Sequence, residues 1–138
     1  MIILDTSGLL ASIDDSERTH AAARAVVERD AGPLILSPFV LAELDYLLAE
    51  KNVAAEAILL GEVAEGLYRL EPFDAEDVGR ALELVERYRD LRIGLADASL
   101  VVLAARNRTT RILTLDERRF RAIRPLRGAA FTILPADA

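Results

Sequence analysis

The sequence predicts an α/β fold in which a central parallel sheet of about five strands carries helices on both faces. Three observations lead there. Short, almost wholly apolar runs stand at Ile2–Leu4, at Leu34–Leu36 and within Arg111–Asp116, as expected of strands covered on both sides. Segments with apolar residues at helical spacing separate these runs, so strands and helices alternate along the chain. No repeat or low-complexity linker divides the 138 residues, so residues 1–138 are expected to form one domain, long enough to bury well over half of its unfolded surface.

Each element has a local signal. Ile2–Leu4 ends in Asp5 and reads as a buried first strand. Ser7 to Ile13 and Ser16 to Arg29 follow as helices, the second closed by Gly32 and Pro33. Leu34–Leu36 is the second strand. Ser37 then caps a helix with Pro38 in its first position, which runs to about Lys51. Asn52 caps another through Ala54, Ala57, Ile58, Leu60 and Ala64, and Tyr68 to Leu70 suggests a short third strand. From Asp74, a helix is expected with Val78, Ala81, Leu82, Val85 and Tyr88 on its apolar face. A further helix spans about Leu95 to Asn107, Arg111–Asp116 forms a fourth strand, Glu117 to Ile123 a short helix and Ala130 to Leu134 a fifth strand. Right-handed crossovers join the strands.

Composition narrows the chemistry. The chain has no Cys, which removes disulfides, thiolate nucleophiles and cysteine-zinc clusters and fits a reducing compartment. No apolar run is long enough to span a membrane, and Met1–Asp5 reads as a strand rather than a signal peptide, so a cytoplasmic location is expected. The net charge of −6 conceals a split: residues 1–79 carry 5 basic and 16 acidic side chains, whereas residues 80–138 carry 12 basic and 7 acidic ones. Of the basic residues only Lys51 is not Arg, and the guanidinium fork suits phosphate or carboxylate partners.

The acids carry the strongest functional signal. Asp5, Glu43, Asp97 and Asp116 each stand inside or at the end of an apolar segment that contains no Lys or Arg to pair with them. Asp5 and Asp116 directly follow strands, where open parallel sheets collect ligands, although either also suits a helix N-cap. Glu43 lies one turn from Phe39, Val40 and Leu47 and is expected to border or enter the buried face, with Asp45 the ordinary solvated acid beside it. Asp97 interrupts the nearly uncharged run Leu95–Ala105. Gathering such acids within about 4–5 Å costs roughly 3–4 kcal/mol per pair at an effective dielectric near 20, which a divalent cation offsets. All-oxygen ligands select Mg²⁺, with Mn²⁺ as a substitute, and Thr6, Ser7 and Thr114 stand ready as polar support, though capping and turn chemistry also accounts for them.

Competing chemistries lack their parts. His20 is the only histidine, which removes two-histidine ribonuclease and Ser-His-Asp sites within one chain, and no Gly-rich phosphate loop is present. Metal-assisted hydrolysis leads.

The segments Ile3–Ser7, Val40–Leu44 around Glu43, Leu95–Ala98 and Leu113–Phe120 resemble the PIN-domain signature, and more narrowly that of the VapC toxins of bacterial toxin-antitoxin pairs. The resemblance spans nearly the whole length. It implies a Mg²⁺-dependent endoribonuclease on a three-layer α/β/α sandwich, a homodimer, held inactive by a small cognate antitoxin protein. It also implies that Asp5, Glu43, Asp97 and Asp116 are the metal-binding catalytic quartet.

Water attacking the phosphodiester, activated by the metal, leaves a 5′-phosphate and a 3′-hydroxyl. Arg118, Arg119, Arg121, Arg124 and Arg127 follow Asp116, and Arg87, Arg89 and Arg92 precede Asp97. Arg92, Arg118, Arg119 and Arg121 are therefore candidate contacts to the RNA backbone, with charge balance within the fold as the alternative. Two other classes compete. A PIN-like fold without catalysis would serve as an interaction module, and a phosphoacceptor signalling domain would need a Lys at a late strand end, where none stands.

Overall fold

The computed structural model describes all of residues 1–138. In chain order the elements are β1 (Ile2–Leu4), α1 (Thr6–Ile13), α2 (His20–Arg29), β2 (Leu34–Leu36), α3 (Pro38–Lys51), α4 (Val53–Ala64), β3 (Arg69–Leu70), α5 (Ala75–Arg87), α6 (Leu95–Arg106), β4 (Arg111–Leu113), α7 (Glu117–Ala122) and β5 (Thr132–Leu134). A single 3-10 turn, Arg89–Leu91, links α5 to α6. The expected α/β class is the observed one: the five strands form one all-parallel sheet in the order β3-β2-β1-β4-β5.

That order positions the site. From β1 the chain builds outward through β2 and β3, then returns to lay β4 on the other side of β1, with Ile3 beside both Ile35 and Ile112. Strand order reverses between β1 and β4, the place where open parallel sheets collect ligands beyond the strands' carboxyl ends. Asp5 leaves β1 there, and Thr114 to Asp116 leave β4 there.

The sheet forms because its central residues have nowhere else to go. Ile2, Ile3 and Leu4 are completely buried, as are Ile35, Leu36, Ile112 and Leu113. α6 is buried along Ala98–Ala104 and packs on β1, α3 and α5, which explains its apolar circumference. Phe120 of α7 meets Phe131 edge to face, with ring centroids 5.9 Å apart, and closes the β5 end of the core. Caps fix the helix starts as the sequence predicts: Ser37 Oγ accepts the Phe39 amide at 3.2 Å, Asn52 Oδ1 the Ala55 amide at 3.0 Å, and Asp74 and Asp77 form a reciprocal capping box.

Three expectations change. α2 begins at His20 rather than Ser16, because Asp14 Oδ1 accepts both the Ser16 amide and its hydroxyl and holds the preceding residues in a turn. β4 ends at Leu113 rather than Asp116, since the Leu115 and Asp116 amides donate to the hydroxyls of Ser7 and Thr114 instead of extending the ladder. On α5, Ala81 and Leu84 are buried while Val78 and Leu82 face outward, so the apolar face is narrower than the spacing suggests. β3 and β5 are each slightly shorter than expected, at Arg69–Leu70 and Thr132–Leu134.

Candidate active site

The reversal point gathers a hydroxyl network around Asp5. Asp5 is the N-cap of α1, its Oδ1 accepting the Thr6 amide at 2.8 Å. Its Oδ2 accepts the Thr114 hydroxyl at 2.6 Å and the Ser7 hydroxyl at 3.3 Å. The Thr114 oxygen in turn accepts the Asp116 amide, and Ser7 Oγ accepts the Leu115 amide, both at 3.0 Å. The Thr6 hydroxyl donates to Glu43 Oε1 at 2.7 Å and ties α3 to the end of β1. Thr6, Ser7 and Thr114 thus join the first acid to the second and to the loop that carries the fourth.

Asp97 enters from the first turn of α6 and Asp116 caps α7, its Oδ1 accepting the Arg119 amide at 3.1 Å. The charges of these acids reach one another. Burial pushes the Asp5 carboxyl up to about 6, against the hydrogen bond from Thr114, and the negative charges of Asp97 and Glu43 push it further the same way. Burial also raises Asp97, opposed by Arg119 and assisted by Glu43 and Asp116. Asp5 and Asp97 thus each feel the charge of two other acids of the set.

The placement of these acids differs from expectation in two respects. Glu43 is exposed at the cleft edge instead of entering the core. Asp45 is the half-buried one, with Oδ1 shielded from water and offered no donor. α3 is apolar on most of its circumference, so no sharp stripe marks which acid turns inward.

The arginines also divide. Arg118 is exposed and unpaired, and Arg92 is exposed and unpaired in a left-handed backbone conformation at φ 53°. Arg121 pairs with Asp137 at 2.6 Å and Glu117 at 3.4 Å. Arg119 turns inward: its Nη1 lies 2.7 Å from Asp97 Oδ2 and its Nε 3.6 Å from Asp116 Oδ2. As placed here, Arg119 and Arg121 are committed to carboxylates, and of the four arginine candidates Arg92 and Arg118 keep free guanidinium groups.

Sequence reading missed a second hydroxyl pair. Ser99 Oγ donates to the Ala96 carbonyl at 2.6 Å and lies 2.7 Å from Ser37 Oγ, with both side chains wholly buried. This contact joins the start of α3, the helix of Glu43, to α6, the helix of Asp97. Ser37 is legible as a cap; its partner 62 residues away is not.

The donor chemistry fits a hard divalent cation, since every candidate ligand is a carboxylate or hydroxyl oxygen and burial leaves Asp5 short of counter-charge. No three acidic side chains converge as tightly as a closed metal cluster, however, and Arg119 supplies the positive charge between Asp97 and Asp116.

Comparison with known proteins decides the family. The PIN domain signature matches residues 2–125, a span that includes all four acids. The chain belongs to the PIN-domain family. Within it, ribonuclease VapC26 of Mycobacterium tuberculosis is 47% identical over 135 residues, covering 97% of this chain and all of that protein. The fold is shared with the crystal structure of M. tuberculosis VapC20, described as a toxin that cleaves the sarcin-ricin loop. That similarity has a TM-score of 0.76 at 19% identity and covers 86% of this chain and 92% of VapC20. This PIN-domain chain thus has the family's fold, with Asp5 at the end of β1 and Asp116 just beyond β4 where the strand order reverses.

Proposed function

We propose that this PIN-domain protein is a Mg²⁺-dependent endoribonuclease, the toxin of a toxin-antitoxin pair. The observation that supports the reading is that Asp5 and Glu43 share Thr6 while Asp97 and Asp116 share Arg119; the 47% identity to a VapC ribonuclease supports the substrate class. Asp5, Asp97, Asp116 and Glu43 would hold the ion, with Mn²⁺ as a substitute. When bound, the ion would supply Lewis-acid chemistry, making water a better nucleophile at neutral pH and offsetting negative charge on the departing oxygen.

The chain's own groups do the rest. The Thr114 and Ser7 hydroxyls fix the Asp5 carboxylate, and Thr6 fixes Glu43. Arg92 and Arg118 contact the RNA backbone without reading sequence, so binding weakens as salt rises. Attack by water leaves a 5′-phosphate and a 3′-hydroxyl. The antitoxin lies in the groove between α1, α3 and α4, where Ile58 is 62% exposed, and the outward Val78 and Leu82 of α5 provide apolar surface for a homodimer.

The test uses purified antitoxin-free protein and total RNA. Cleavage in Mg²⁺ is expected to fall by at least about a hundredfold in chelator and in Asp97→Asn, the scale for losing a group that stabilises transition-state charge. Cleavage that survives both rules the mechanism out. The Arg119–Asp97 pair and the absence of a closed three-acid cluster favour a non-catalytic interaction module, and that reading predicts no cleavage with any metal.

A further inference from the structure

Arg119 bridges two of the four acids from different parts of the fold. Asp97 belongs to α6 and Asp116 to the β4–α7 loop, yet both face the same guanidinium. Its neighbours on α7 behave otherwise, Arg118 standing free in solvent and Arg121 pairing outward with Asp137 and Glu117. The Arg119 side chain is 35% exposed, so its guanidinium reaches the two acids while part of the side chain faces solvent. A guanidinium and a divalent ion repel each other within a few ångströms, and Asp97 Oδ2 has room for one of them.

We infer that Arg119 is the site's built-in counter-ion: its guanidinium and the divalent cation compete for Asp97, and the ion's arrival turns Arg119 outward to bind substrate phosphate. The inference rests on the reading of the acids as a metal site and adds a residue with two successive partners. In the metal-free protein Arg119 holds Asp97 and Asp116 in place with a single positive charge. Once displaced, it remains on the short helix at the rim, and its planar fork suits two phosphate oxygens.

Calorimetric titration of antitoxin-free protein with Mn²⁺ tests the competition. Arg119→Gln is expected to bind Mn²⁺ about three- to tenfold more tightly than wild type, the scale of one half-exposed ion pair. Arg118→Gln, which removes the same charge one residue away, should change affinity less than about twofold, and Arg119→Lys, whose single ammonium spans the two acids poorly, should fall between. NMR of arginine side-chain N–H groups gives a second readout, in which Mg²⁺ shifts the Arg119 Nε–H signal and leaves that of Arg121 in place.

Unchanged or weaker Mn²⁺ binding in Arg119→Gln and Arg119→Lys, or equal tightening in Arg118→Gln, overturns the inference while leaving the metal site standing. If neither wild type nor Arg119→Gln binds Mn²⁺, the metal reading itself fails and the inference with it. Binding by Arg119→Gln alone supports the competition in its strongest form.

Discussion

Asp5→Asn is expected to abolish RNA cleavage and, at the same time, to stabilise the metal-free protein at pH 8. The wild-type carboxyl is buried and its pKa is pushed up to about 6, from an ordinary value of 3.8. Between those values the native state keeps a proton that the unfolded chain has released, so stability falls as pH rises from about 4 to about 6. Above that window the buried charge costs about 3 kcal/mol, from 1.36 kcal/mol per unit. Asparagine removes the charge, accepts the Thr6 amide through its carbonyl and can donate its amide to Thr114 Oγ. Melting in chelator should show a gain of roughly 10 °C at pH 8 that disappears by about pH 4. A loss of stability at pH 8 would show that the Asp5 charge is well accommodated without an ion.

Gly8→Ala should have the largest purely structural effect, a loss of about 3 kcal/mol or more. A methyl group at Gly8 would collide with the Leu113 carbonyl, lying 2.5 Å from its carbon, and come within 2.7 Å of Leu113 Cγ. The backbone there cannot retreat, because the Leu113 oxygen accepts the Asp5 amide at 3.0 Å and belongs to the β1–β4 ladder. The missing side chain lets α1 press against β4 closely enough for Ser7 to reach Leu115 and Thr114. Urea unfolding of Gly8→Ala is therefore expected to show a clearly lowered midpoint; a midpoint equal to wild type would mean that α1 is free to move away.

The sheet was legible because a buried parallel strand has one requirement, an unbroken apolar run, and Ile2–Leu4 and Leu34–Leu36 meet it without ambiguity. Asp5 and Asp116 were legible both as caps and as site acids, and the structure gives each its cap bond. One role does not exclude the other, since a carboxylate has about four lone-pair positions. Glu43 and Asp45 were harder because adjacent helix positions differ by about 100°, and α3 has too few polar residues to fix the phase. Arg119 was out of reach for a different reason. A counter-ion was sought within the apolar segments, whereas Asp97 receives one from another element 22 residues away. Ser99 is the same case, a buried hydroxyl whose partner only the packing of α3 against α6 reveals.

The central claim is that the four acids hold one or more divalent cations, and anomalous diffraction from crystals grown in Mn²⁺ tests it most directly. The account predicts a peak at the carboxyl ends of β1 and β4, about 2.1–2.2 Å from oxygens of Asp5 and Asp97. Crystals grown in saturating Mn²⁺ that show no peak there, with Arg119 still paired to Asp97, would contradict it.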